Sequence, residues 1–279
     1  MFWKVTISQT KYLLKKKEAM LVFLLLFGLV IYNFIGNVLA FQGSDVVVMY
    51  HPMKLMLLSY NRINYNADNT LLLIQWYPLL IAFPAGFALS KEYQTGINVY
   101  MSTRLGTNMY CLSKVVASFL TTATVFILPF LMEYILNCVS FPLKSMGDLT
   151  NWSNYDKDYL ADVSNYFMAD LFKKNPYIYA MVGILLLGVV SGILGAMTVV
   201  ISGLIKIKFN LFLLLPAMVL LNVSTMLTKQ TSSFSYRWYD YLFLFNEWKK
   251  SSLFFLIVVG ILVLFVVTGA RFASRKDCL

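Results

Sequence analysis

Apolar residues fall in six long runs, 19–40, 71–89, 115–140, 177–203, 211–228 and 251–270, separated by segments in which the charges gather. Each run approaches the roughly 20 residues an α-helix needs to cross a bilayer. Lipid leaves an unpaired segment no other way to satisfy its own backbone. The pattern therefore predicts an all-α polytopic membrane protein with six transmembrane helices filling residues 19–279. Pro84, Pro129 and Pro216 fall inside runs, where neighbouring helices tolerate a kink. Ahead of the first run, Phe2, Trp3, Ile7 and Leu14 share one helical face and Lys4, Ser8, Lys11 and Lys15 another. That spacing predicts an amphipathic interfacial helix within residues 1–18. The first run exceeds the roughly 7–15 apolar residues of a signal-peptide core, so it is expected to stay as a span.

Several local patterns refine this picture. Asn175 followed by Pro176 reads as the cap and first residue of the fourth span. Within that span Gly188, Gly192 and Ala196 recur every four residues, a stripe that lets another helix come close. Aromatic residues crowd 229–250, including Tyr236, Trp238, Tyr241, Phe243, Phe245 and Trp248, and predict short helices lying in or dipping into the outer leaflet. In residues 90–114, Ile97, Tyr100, Met101 and Leu105 repeat at helical spacing while Gly106 and Asn108 turn the chain back. A short helix lying under the bilayer and joined to the spans on either side would transmit a push.

Charge sets the expected orientation. With both termini in the cytoplasm, the inner segments hold 13 Lys and Arg in 59 residues and the outer ones 10 in 88. Basic residues favour the cytoplasmic side, so this is the orientation the chain predicts. It also accounts for most of the formal net charge of +10 without nucleic acid as a partner.

Catalytic chemistry is thinly supplied. His51 is the single histidine, which excludes a paired-histidine zinc site, and no Ser/His triad or Cys/His dyad is assembled around it. The three cysteines, Cys111, Cys138 and Cys278, are scattered and suggest no disulfide framework. Asp156, Asp158 and Asp162 lack the turn glycine and remaining ligands of a calcium loop and read as a solvated acidic patch. No G-x-x-x-x-G-K-[ST] phosphate loop occurs, so nucleotide energy, if used, comes from another chain. The expectation is a non-enzymatic chain with no metal or cofactor of its own. Glu133 is the single acid inside a run, with Asn137 one turn on. An intramembrane carboxylate marks either a transport path or a buried polar pair.

The 90–114 segment resembles the one following the second span in membrane subunits of ATP-binding cassette exporters of the second type. Glu92, Gly96, Arg104, Ser113 and Lys114 match that family's acid-x-x-x-glycine stretch, basic residue and Ser-Lys. The resemblance extends to the order of elements: an amphipathic amino-terminal helix, six spans, and an interfacial outer element before the sixth. It implies two membrane subunits, identical or paralogous, working with two cytoplasmic ATPase subunits that carry ATP and Mg. Glu92 and Arg104 would contact the ATPase, Gly96 would allow close approach, and Lys114 would anchor near inner phosphates. The 36-residue outer segment 141–176 and the thinned charge run at Lys91-Glu92 lean toward bacterial peptide, drug-efflux or bacteriocin-immunity branches. The expected function is thus a permease subunit in a bacterial inner membrane that exports an amphipathic substrate. Two alternatives stand beside it: an ion-coupled transporter or channel using Glu133, and an immunity protein that sequesters a peptide.

Overall fold

The computed structural model describes residues 1–43, 51–59, 67–143, 166–204, 210–230, 237–245 and 251–276. Among them the fold is all-helical with no β-strand. In chain order the helices are α1 (Phe2–Leu14), α2 (Lys17–Ala40), α3 (Ala67–Ala85), α4 (Ala88–Thr95), α5 (Ile97–Leu105), α6 (Thr107–Ser140), α7 (Ala169–Lys174), α8 (Pro176–Leu204), α9 (Leu215–Gln230) and α10 (Ser252–Lys276). Short 3-10 turns occupy Pro52–Leu55, Asn210–Leu214 and Trp238–Tyr241. Four helices, α2, α6, α8 and α10, are long and apolar enough to cross a membrane, and α3 with α4 makes a fifth if the pair counts as one span bent by 42°. The acidic patch Asp156, Asp158 and Asp162 lies outside the described residues.

Burial separates a central helix from peripheral ones. The most apolar stretch of α8 is 78% buried, against 28% in α2 and 22% in α10. The centre is the seam between α6 and α8, and the small-residue stripe explains it. A Cβ on Gly192 would lie 2.9 Å from the Phe119 carbonyl oxygen and 2.8 Å from its ring, and one on Gly188 would lie 2.2 Å from Ile127. Ala196 is buried beside the same seam. The stripe thus joins two helices of one chain. Ser118 donates to the Gly195 carbonyl across it at 3.2 Å, and Tyr77 and Ser191 hydrogen-bond at 2.8 Å between α3 and α8. Gly192→Ala is expected to destabilise the protein by roughly 1–3 kcal/mol through overpacking, measured as a lower melting temperature in detergent. Gly28→Ala is the neutral control, because its Cβ would meet nothing within 4 Å.

One expected boundary shifts and another holds. The third run begins eight residues early: α6 starts at Thr107, so the end of the 90–114 segment belongs to that helix. The fourth starts as the Asn-Pro pair predicts, with Asn175 Oδ1 accepting from the backbone of Tyr177 (2.9 Å) and Ile178 (3.2 Å). The amino-terminal helix also packs differently from a simple amphipathic helix. A third face, Thr6, Gln9 and Leu13, is buried against the bundle, while Trp3 and Ile7 point outward, 65% and 50% exposed. Leu13 nests among Ala85, Ala88 and Ala117, whose small side chains admit α1 to the bundle.

Contacts sort the loops to two ends. Lys91 meets Glu18, and Gly203 approaches Leu89 and Ala273, at the end that carries α1, α4 and α5. At the far end Phe141 meets Phe34 and Phe41 edge to face, and Tyr177 donates to the Leu143 carbonyl.

Candidate functional site

Two constellations combine a buried carboxyl group with exposed or irregular chain. The first is an elbow formed by α4, α5 and the start of α6. Gly96 (φ 72°) ends α4 in the left-handed region and Gly106 (φ 79°) stands between α5 and α6, so two glycines permit both reversals. Glu92 is buried on α4 and accepts from the Tyr110 hydroxyl and the Lys114 ammonium. Those two residues are four apart on α6 and share one face. Ser113, also buried, donates to the Tyr110 carbonyl within its own helix. On the other side Lys91 pairs with Glu18 at the start of α2. The root of the elbow is therefore tied to two spans by ion pairs, one of them buried.

By contrast α5 has no buried residue. Met101 and Leu105 pack partly against the cluster around Leu89, Tyr110 and Val199. Ile97, Val99 and Tyr100 are 49%, 61% and 56% exposed, and the Arg104 guanidinium sits 4.6 Å from the Tyr100 ring centroid. Of the five residues picked out in the sequence, Glu92, Lys114 and Ser113 thus form the root. Gly96 and Arg104 lie outside it, both exposed. The charge of Glu92 is directed at Lys114, so its partner is intramolecular.

The second constellation is a clamp toward the far end. Asn33 and Asn37 on α2 are one turn apart, as are Glu133 and Asn137 on α6, and all four are buried. Between them runs the chain 51–59, whose residues are likewise all buried although none is in an α-helix. Glu133 Oε1 accepts from the Leu57 amide at 2.6 Å and from Asn33 Nδ2 at 2.8 Å. The Leu55 carbonyl receives Asn33 (3.0 Å) and Asn37 (2.7 Å), and the Pro52 carbonyl receives Asn137 (3.3 Å). Irregular backbone at membrane depth persists only where protein groups replace water, and these four side chains supply that replacement. Glu133 lies seven residues before the end of α6, about 10 Å along the helix. The expected Glu133–Asn137 pair is thus not what forms. Each faces the inserted chain instead, because its backbone offers a donor at Leu57 and an acceptor at Pro52.

A second inserted chain closes the arrangement. The Leu244 amide donates to the Leu58 carbonyl at 2.9 Å, and Ser59 and Leu244 form a parallel bridge. Residues 241–245 are buried, with the Phe245 ring packed on Tyr166, Phe172 and Tyr179 at centroid distances of 5.8, 5.3 and 5.5 Å. The described part of the aromatic 229–250 segment therefore folds into protein as well as forming its short 3-10 turn. The clue missed in the sequence was the pair of asparagines in the first run, spaced like Glu133 and Asn137.

Among the described residues no group of three or more His, Cys, Asp or Glu is placed to hold a metal ion. Comparison with protein families, curated proteins and solved structures gives no match.

Proposed function

We propose that the chain is the permease subunit of an ATP-binding cassette exporter in a bacterial inner membrane, moving an amphipathic substrate outward with ATP hydrolysed on a separate subunit. The observation that carries this reading is the contrast within the elbow: α5 is bare, while its root is fixed to α2 and α6 by the Glu18–Lys91 and Glu92–Lys114 pairs. A partner that grips α5 would move two spans directly. Ile97, Val99, Tyr100 and Arg104 would form the contact, and ATP and Mg would reside on the partner. A second permease copy or paralogue would complete the pathway.

The reading has six spans with both termini cytoplasmic. Supporting the sixth, Leu204 ends α8 near the elbow end whereas 241–245 lies at the far end, and the apolar stretch 210–230 comes between them in sequence. Lys4, Lys11, Lys15, Lys16, Lys17, Lys91, Arg104, Lys114, Arg271 and Arg275 belong to the elbow end, which favours placing it inside.

Co-expression with a candidate ATPase tests this. The pair is expected to co-purify and show vanadate-sensitive ATP hydrolysis, and Val99→Asp with Arg104→Glu is expected to reduce recovery of the ATPase more than tenfold. The elution profile of the isolated permease should not change. Undiminished recovery, or transport by vesicles holding this chain alone, overturns the proposal.

One observation favours the ion-coupled reading. Glu133 Oε2 and Asn137 Oδ1 are buried acceptors without a hydrogen-bond donor, as a site that takes up a proton or cation would be. The sequestration reading has less support, since Tyr241, Phe243 and Phe245 are covered by protein.

A further inference from the structure

At the elbow end a shallow crevice, open to the surface, runs between the α1–α2 junction and the α3–α4 break. Lys16, Glu18 and Lys91 line one part of it, and Phe83, Pro84 and Phe87 another. The Phe83 and Phe87 rings meet edge to face at 5.3 Å. The crevice thus sets charge beside aromatic surface where two spans end.

Three ammonium groups and two carboxylates lie in or behind it, Lys16, Lys91 and Glu18 in its wall and Lys114 and Glu92 at the root of the elbow. Lys91 is matched by Glu18 and Lys114 by Glu92. That leaves Lys16, half-buried at the first residue before α2, with the face of the Tyr12 ring 4.9 Å from its ammonium. Lys114 approaches the same ring at 6.0 Å. A ring face shared by two ammoniums is a weak substitute for an anion. Burial, and then the Lys114 charge, push the Lys16 amine below its ordinary pKa, while Glu92 and Glu18 attract it only at longer range. Lys15 and Lys17 flank it and add positive potential.

We propose that this crevice binds the phosphate of an anionic glycerophospholipid, with Lys16 as its ion-pair partner. Basic pockets between helices at the cytoplasmic side suit such headgroups. The Phe83–Pro84–Phe87 wall favours a lipid over a dissolved phosphate, because it meets the acyl chain just below the headgroup. The inference needs the chain to be embedded in a membrane and does not depend on an ATPase.

The test uses the full chain in a neutral detergent, with its melting temperature followed as phosphatidylglycerol, phosphatidylcholine or inorganic phosphate is added. Phosphatidylglycerol is expected to raise it at lower concentration than phosphatidylcholine, with no rise from phosphate alone. Lys16→Gln is expected to weaken the half-saturating concentration about fivefold, the effect of removing one lysine from an anionic lipid contact. Lys16→Arg should retain the response, and so should Lys11→Gln, which removes an exposed charge outside the crevice. Native mass spectrometry of the unaltered protein from mixed micelles is expected to find phosphatidylglycerol retained over phosphatidylcholine. Equal retention of the two lipids, an equal shift from free phosphate, or equal weakening by Lys11→Gln and Lys16→Gln overturns the proposal.

Discussion

Replacing Glu133 with Leu is expected to lower the melting temperature of the detergent-solubilised protein by about 10 °C, whereas Glu133→Gln should change it by no more than about 2 °C. The difference comes from a single oxygen. Glu133 Oε1 serves both the Leu57 amide and Asn33 Nδ2, and Leu would strip the acceptor from the Leu57 N–H and from one of the two Asn33 N–H groups, the other still bonding Leu55, at roughly 1–3 kcal/mol each. Gln keeps that oxygen. Its amide nitrogen would stand where Oε2 now has no partner; Asn137 Oδ1, one turn on, lacks one as well. Equal melting temperatures for the Leu variant and the parent would remove the clamp from the account. Glu133→Gln also separates the two transport readings. In an ATP-driven permease, export and its pH dependence should survive the change. An ion-coupled transporter would lose both, because the amide cannot carry the proton.

Glu92→Ala should be nearly as damaging, even when no ATPase is present. Lys114 is almost wholly buried, with 3% of its side chain exposed and Glu92 accepting from its ammonium. Truncating one partner of such a pair leaves an uncompensated charge and costs about 3–5 kcal/mol. Glu92→Ala combined with Lys114→Met is expected to recover part of that loss, since no unpaired charge then remains although Ala leaves a void. Thermal melting of the isolated chain, compared across the two single variants and the double, measures the coupling. Additive losses would mean that the elbow root is held by something else, and Glu92 could then be assigned to an external partner.

The resemblance in the 90–114 segment and the structure thus weight its residues differently. Family likeness gave Glu92 and Arg104 the same task of meeting the ATPase. In the fold they divide, one inward to Lys114 and the other outward over Tyr100. Spacing alone does not separate them, because the inward direction of Glu92 depends on Tyr110 and Lys114 lying on the adjacent helix. The helical stretches themselves were legible, since long apolar runs and an Asn-Pro start are local signals. The four long apolar helices match four of the six expected runs in place. The second run bends at 42° just beyond Pro84, where Gly86 lies so close to Thr198 of α8 that a Cβ would fall 2.5 Å from its hydroxyl. That contact joins residues more than a hundred positions apart. No window along the sequence contains it.

The clamp was harder to see for the same reason. Residues 51–59 contain histidine, proline and lysine, which suggests a loop in water. Only with Asn33, Asn37, Glu133 and Asn137 arranged around it does the segment become compatible with burial. A polar residue in an apolar run then marks backbone belonging to another part of the chain.

In the proposed permease reading, the joining of Leu58 to Leu244 bears on the route of the substrate. In that reading a route along the axis of one subunit would end beneath the paired segments 51–59 and 241–245, so opening it would require them to separate at the Leu244–Leu58 hydrogen bond. Passage along a wall facing lipid or a second copy avoids that rupture. Cargo that partitions into the bilayer would suit such a lateral exit better than a fully hydrated solute.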